Sequence, residues 1–247
     1  MFKLSDQIID KEIRSIAEKI FAASRINPEE GAILYSSCDL SVLAYLADFV
    51  RRRINGNFVF FNRNFHIEPT NRCVYNCRFC SYKRPEGDPE SWDHNHDQIL
   101  ETVRSFDGID VTEVHITGGA HPLHDISYNG ELIKKIKKHR PSLHVKAYSA
   151  IELDNMIRIS GISIKNGLEY LKNCGLDSIP GGGAEIFDEI LRKKICPEKT
   201  SSDMWLQIHE TAHSCGIPSN ATMLYGHLET YEHRIDHMTR LRELQDR

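Results

Sequence analysis

Apolar side chains recur at three- and four-residue steps along the first part of the chain, the spacing of an amphipathic helix. Leu4, Ile8, Ile9, Ile13, Ile16, Ile20 and Phe21 form one such stripe. Leu40, Leu43, Leu46 and Val50 form a second within a helical stretch from 29 to 53, and Asn55-Gly56-Asn57 supplies the turn that ends it. Residues 1–57 are therefore expected to be an N-terminal helical section. From Phe58 onward short apolar runs alternate with amphipathic stretches, as parallel βαβ units do. Strands are predicted at 65–69, 111–117, 143–149, 176–179 and 219–224, and helices at 97–106, 129–139, 165–173, 185–195, 203–214 and 231–244. This order makes residues 58–247 an α/β unit, a partial (β/α) barrel, in which chemistry gathers at the carboxyl ends of the strands. The last predicted helix runs to the end of the sequence without a capping glycine, as expected of a barrel truncated at its C-terminus.

Composition narrows the partners. An apolar share of 40% with 27% charged residues suits one globular core, and a formal net charge of -4 offers no basic face for a phosphate backbone. The basic runs at 51–53 and 134–140 read as solvated helix faces. No signal peptide and no membrane-length apolar run stands out. Seven cysteines are an odd number, and three fall within eight residues. A secreted disulfide framework has no use for that crowding, whereas an intracellular metal site does, so a cytoplasmic location is expected.

Those three, Cys73, Cys77 and Cys80, lie in one short loop after the first predicted strand. Cubane iron-sulfur clusters take thiolate ligands, normally four; three leave one iron open to a substrate's amino and carboxylate groups. Structural zinc is the bland alternative and would draft His94 or His96 as its fourth ligand. The spacing Cys-x3-Cys-x2-Cys, with Phe79 before the last cysteine, resembles the signature of the radical S-adenosylmethionine (SAM) superfamily. The resemblance implies a 4Fe-4S cluster on these cysteines that reduces SAM to methionine and a 5'-deoxyadenosyl radical.

The other strand ends supply further candidates. Gly118-Gly119 follow the second strand, where the resembled superfamily binds the methionine end of SAM; Ala120 departs from its usual Gly-Gly-Glu. Ser149 and Glu152 follow the third strand and are candidates for the ribose or ammonium of SAM, with helix capping as the alternative for Ser149. Gly181, Gly182 and Gly183 follow the fourth, a loop expected to open a helix and offer N–H groups to an anion. Arg192 in that helix is a candidate carboxylate partner, against the plainer expectation of a solvated arginine. Asn220, Thr222, Tyr225 and His227 come from the fifth strand. Cys38, Cys174, Cys196 and Cys215 are expected as small core residues. A rival motif, His209-Glu210-Thr211-Ala212-His213, matches the zinc-peptidase pattern His-Glu-x-x-His, but Ser219 stands where a metzincin needs its third histidine. His233 and His237 repeat its spacing and are expected in solvent.

Longer stretches resemble one family within the superfamily: 66–77 with Glu68-Pro69-Thr70-Asn71, 112–122, 176–186 and 219–229. This is the aminodeoxyfutalosine synthase family of menaquinone biosynthesis. Its sisters, the cyclic dehypoxanthine futalosine cyclase and the tyrosine-using subunit of FO synthase, typically carry Tyr-Thr-Asn where this chain has Pro69-Thr70-Asn71. The resemblance implies a transferase that consumes SAM as co-substrate. It adds the adenosyl radical to 3-(1-carboxyvinyloxy)benzoate to give 6-amino-6-deoxyfutalosine, with a flavodoxin or ferredoxin as electron donor and neither nucleic acid nor membrane as partner. Glu68 joins the candidate substrate residues on that resemblance. A zinc hydrolase and a non-catalytic iron-sulfur protein remain the other classes.

Overall fold

A computed structural model of the chain describes residues 8–247. Its contacts divide it into two compact units, one running to Phe61 with Glu229–Arg240, the other comprising Asn62–Leu228 with Leu241–Arg247. Among the described residues no helix is long and apolar enough to cross a membrane.

In the smaller unit, α1 (Lys11–Phe21) starts where the Asp10 carboxylate accepts the N–H groups of Glu12 and Ile13. Ile8 and Ile9 therefore precede the helix instead of belonging to its stripe, and Leu4 lies outside the described residues. The stretch predicted from 29 to 53 is two helices, α2 (Pro28–Ser37) and α3 (Leu40–Asn55). Asp39 interrupts it by capping Ser41, which leaves Leu40 exposed at the first turn. Gly56, at φ 60°, ends α3 as the turn predicts. In α10 (Tyr231–Asp246), Tyr231 stacks on Tyr35 with ring centres 5.1 Å apart. His237, expected in solvent, is fully buried in that helix.

The larger unit is built on a parallel sheet, β1 (Asn64–Ile67), β2 (Glu113–Ile116) and β3 (His144–Ala147), in that spatial order. The fourth and fifth predicted strands shrink to single bridges, Lys146 to Ser178 and Ile179 to Ser219. Pro180 and Pro218 flank those bridges, and a proline cannot donate to a ladder. Register nevertheless continues the sheet in chain order, giving a partial barrel. Phe65, Ile67, Val114, Ile116, Val145 and Ala147 point outward and are buried with α4 (His96–Arg104), α5 (Ile126–His139) and α7 (Ile164–Cys174). The inner face is polar. Register places His66, His115 and Lys146 side by side; the two imidazoles are 4.7 Å apart and Lys146 pairs with Glu113 at 3.2 Å. Closed barrels fill this space with branched apolar side chains.

The pattern predicts no helix after Ser149, yet α6 (Ala150–Ser160) follows β3 at once, turned by Tyr148 at φ 62°. Most of its residues, including Glu152 and Asn155, are buried, so it has no apolar stripe to read. The helix predicted from 185 begins four residues later, as α8 (Glu189–Ile195) capped by Asp188. Cys174 and Cys196 are buried as expected, while Cys38 and Cys215 are only half-buried.

The His-Glu-x-x-His segment lies in α9 (Ser202–Ser214). His209 is fully buried and stacks on Trp205 at 3.6 Å. Its Nδ1 and the Nε2 of His213 both meet the Ser219 hydroxyl, at 2.9 and 2.8 Å, and Glu210 turns to Arg247 at 3.4 Å. His209 Nδ1 and His213 Nε2 are thus spent on one hydroxyl, the glutamate faces elsewhere, and among the described residues the three form no metal-ligand cluster, which speaks against the zinc-peptidase reading. Burial depresses His209 to about 3. The unfolded chain takes up this proton below about pH 6.5, whereas the folded chain refuses it, so stability held above that pH drains as pH falls toward 3. We expect the slope to be about 1.4 kcal/mol per pH unit from this group. Urea unfolding of the reduced apoprotein between pH 7.5 and 4.5 should show His209→Gln losing less stability on acidification than wild type; equal slopes would assign the acid sensitivity elsewhere.

Candidate functional site

The cysteine loop is gripped by backbone on both sides. Gly119 N–H donates to Thr70 O at 2.8 Å and Val74 N–H to Ala120 O at 3.0 Å, which sews the loop after β1 to the loop after β2. Gly119 is required there, because a Cβ would stand 2.1 Å from Arg72 O. The fully buried Asn71 amide donates to Glu90 O and accepts from Trp92 N–H, each at 2.9 Å, pulling residues 84–93 over the loop. On the far side Arg78 N–H donates to Ile195 O at 2.8 Å.

This lacing brings Cys73, Cys77 and Cys80 to the lining of one open cavity. Cys73 and Cys77 are half-buried and Cys80 is exposed. Ala120 N–H points at Cys73 Sγ, 3.4 Å away. Gly118, Gly119, Ser149 and Glu152 form one wall, and Phe79, Tyr75, Tyr82 and Lys199 line the rest. Burial pushes the Cys77 thiol up to about 11, while the Lys199 ammonium pulls it back. Thiols so raised ionise on meeting a metal, which replaces the lost hydration.

Glu152 is the most heavily bonded side chain of the wall. Its Oε2 accepts from Ser149 N–H, Ser149 Oγ and Thr117 Oγ1 at 2.8, 2.7 and 3.1 Å, and its Oε1 accepts from Gly118 N–H at 3.0 Å. Burial raises its pKa against these four donors, which favour the carboxylate. Ser149 is the N-cap of α6 and spends its hydroxyl on Glu152.

The remaining sequence candidates fall outside this cavity. Glu68 is exposed and lines a groove with His66, Trp92 and His94. Gly181–Gly183 sit in a turn six residues before α8, so their N–H groups are not a helix N-terminus. What approaches these glycines is the protein itself: a Cβ at Gly181 would stand 2.5 Å from Asn220 O. Arg192, predicted in solvent or on a carboxylate, is 2% exposed. Its guanidinium donates to the carbonyls of Ala184 and Thr200, each at 2.5 Å, and of Ile186 at 3.3 Å. Buried cations need such partners, and here they are carbonyls of its own chain together with the Glu189 carboxylate, 3.8 Å from Nε. Asn220, Tyr225 and His227 are exposed, with His227 Nε2 spent on Leu224 O at 3.0 Å. Thr222 Oγ1 donates to Gly181 O at 2.6 Å.

Sequence reasoning missed Lys199, Tyr75 and Tyr82 in the cavity, since lone lysines and tyrosines carry no spacing signal. It also missed Asp93, His121 and His124, whose ligand atoms lie within 4.8 Å of one another. His121 Nδ1 accepts Leu123 N–H at 3.1 Å, so the neutral ring keeps its proton on Nε2, facing Asp93 Oδ2 at 3.2 Å. The His124 ring stacks on His121 with centres 3.7 Å apart, and its Nε2 lies 3.7 Å from the same Asp93 oxygen.

Residues 67–241 match the model of the Radical SAM superfamily. The aminodeoxyfutalosine synthase of Thermus thermophilus is 42% identical over 239 residues, covering 97% of this chain and 64% of that protein. The cyclic dehypoxanthine futalosine synthase of Streptomyces coelicolor is 36% identical, covering 96% of this chain and 60% of that one. The chain thus spans less than two thirds of the length of these relatives. Among solved structures, HydG, a maturase of the FeFe-hydrogenase, superposes with a TM-score of 0.74 at 19% identity, covering 98% of this chain and 53% of that one, a likeness of fold. With the match spanning β2, β3, the cysteine loop and the helices around them, the chain belongs to the Radical SAM superfamily.

Proposed function

We propose that Cys73, Cys77 and Cys80 hold a 4Fe-4S cluster and that the chain carries the SAM-cleaving centre of an aminodeoxyfutalosine synthase. The observation that carries the reading is the convergence of three thiols on a cavity walled by Gly118 and Gly119; Cys196 packs beside Cys77 but does not line that cavity. The donor set fits the cluster: three soft sulfurs and an N–H aimed at one of them, on a cavity with two glycines in its wall. When bound, the cluster supplies the electron that splits SAM into methionine and the 5'-deoxyadenosyl radical.

The chain's own residues do the rest. The Gly119–Thr70 and Ala120–Val74 bonds hold the loop in register, so the thiols are preorganised before metal arrives. Gly118 and Gly119 leave backbone bare for the methionine end of SAM, and Glu152 keeps Gly118 in place. Phe79 and Tyr75 add aromatic surface to the cavity. Toward the sheet, the polar inner face with His66, His115 and Lys146 suits an aromatic carboxylate. The 42% identity to an aminodeoxyfutalosine synthase favours 3-(1-carboxyvinyloxy)benzoate over the substrates of the sister enzymes. A flavodoxin or ferredoxin in the cytoplasm is the fitting electron source for the exposed Cys80 edge.

Two experiments test this. Anaerobically reconstituted protein should convert 3-(1-carboxyvinyloxy)benzoate and SAM to 6-amino-6-deoxyfutalosine under dithionite. Consumption of dehypoxanthine futalosine or tyrosine instead would move the chain to a sister family, and the absence of both an adenosylated product and 5'-deoxyadenosine with all three would end the radical reading. Cys77→Ala should lose at least nine tenths of the bound iron while keeping its circular dichroism, because two thiolates do not retain the cubane. Wild-type iron content in that variant counts against the ligand assignment.

A further inference from the structure

Behind the cysteine cavity lies a buried ion pair that SAM binding does not call for. Lys199 Nζ meets Glu185 Oε1 at 2.5 Å, with the two side chains 12% and 13% exposed. Burying both charges is costly, and such pairs are weak evidence for stability, so their placement asks for another reason. The pair is held with care. Glu185 sits at φ 50°, a left-handed conformation that non-glycine residues rarely adopt. The Arg192 guanidinium bonds the carbonyls of Ala184 and Thr200, the chain neighbours of Glu185 and Lys199, so one buried group fixes both backbones.

The pair is also oriented. Lys199 lines the cavity of the three cysteines, and its ammonium lies 5.5 Å from the centre of the Phe79 ring, next to Cys80 in the chain. Glu185 is not among the lining residues and acts on Cys77 more weakly than Lys199, with opposite sign. The positive end therefore faces the thiols. In a partly buried site a fixed charge acts over several ångströms with little screening, and the potential of an iron-sulfur cluster follows the charge around it.

We propose that the Glu185–Lys199 pair sets the reduction potential of the cluster held by Cys73, Cys77 and Cys80, Lys199 raising it and Glu185 limiting the rise. The inference rests on the cluster reading above. Lys199 touches no reacting atom; its charge favours the one-electron reduced state of the cluster over the oxidised one, and the electron comes from the external donor.

The test is a dithionite redox titration, followed by electron paramagnetic resonance, of the reconstituted chain without SAM. Lys199→Met should lower the midpoint potential and Glu185→Gln should raise it. The double variant, which leaves no unpaired buried charge and so guards against misfolding of either single one, should titrate below wild type because the nearer charge is lost. Lys199→Arg should stay near wild type. Singles that move in the same direction, or a double variant at the wild-type potential with full iron content, would overturn the proposal. A wild-type protein without a paramagnetic cluster would instead overturn the cluster reading, and this inference with it.

Discussion

The site depends on a carboxylate that takes no part in binding iron. Glu152 gathers the end of β2, through Thr117 and Gly118, and the end of β3, through Ser149, onto the first turn of α6. Four donors on one buried carboxylate are worth more than four neutral bonds, since charge-assisted hydrogen bonds are about twice as strong. The arrangement sets the position of Gly118, and Gly119 beside it bonds Thr70 in the loop that carries the cysteines. The thiols are thus placed by a chain of hydrogen bonds starting from the sheet, and hydrophobic packing contributes mainly on the outer face.

The same division of labour runs through the larger unit. Outward-facing Val, Ile and Phe of three strands form the core with the helices, while the inner face carries histidine, lysine and glutamate. A barrel used only for stability would fill its interior with apolar side chains. Charged groups below the strand ends cost stability, and here they are kept in matched pairs, Lys146 with Glu113 and Lys199 with Glu185. Arg192 spends its guanidinium on the chain's own carbonyls and on Glu189, which makes a substrate candidate a fastener of the loop that holds one of those pairs.

Much of the architecture was legible because it rests on local rules. Three strands, most of the helices around them and the cysteine loop follow from alternation, caps and spacing, all of which act over a few residues. Helix α6 escaped because it is buried on nearly every side and leaves no period in the sequence. The fourth and fifth strands were overread because apolar runs beside Pro180 and Pro218 look like strands but lack the donors for a ladder.

What the amino-acid sequence determined by itself is that Cys73, Cys77 and Cys80, the proposed sulfur ligands, share one short loop at the end of a strand. Which polar side chains join them was decided by tertiary structure alone. Glu152 became an internal acceptor, Arg192 a clamp and His209 a core stacking partner, while Lys199, 119 residues beyond Cys80 in numbering, arrived at the cavity. The reason is physical: a ligand loop is specified by neighbours in the chain, but whether a charge bonds a ligand or its own protein depends on which buried carbonyls and N–H groups the fold leaves unpaired around it.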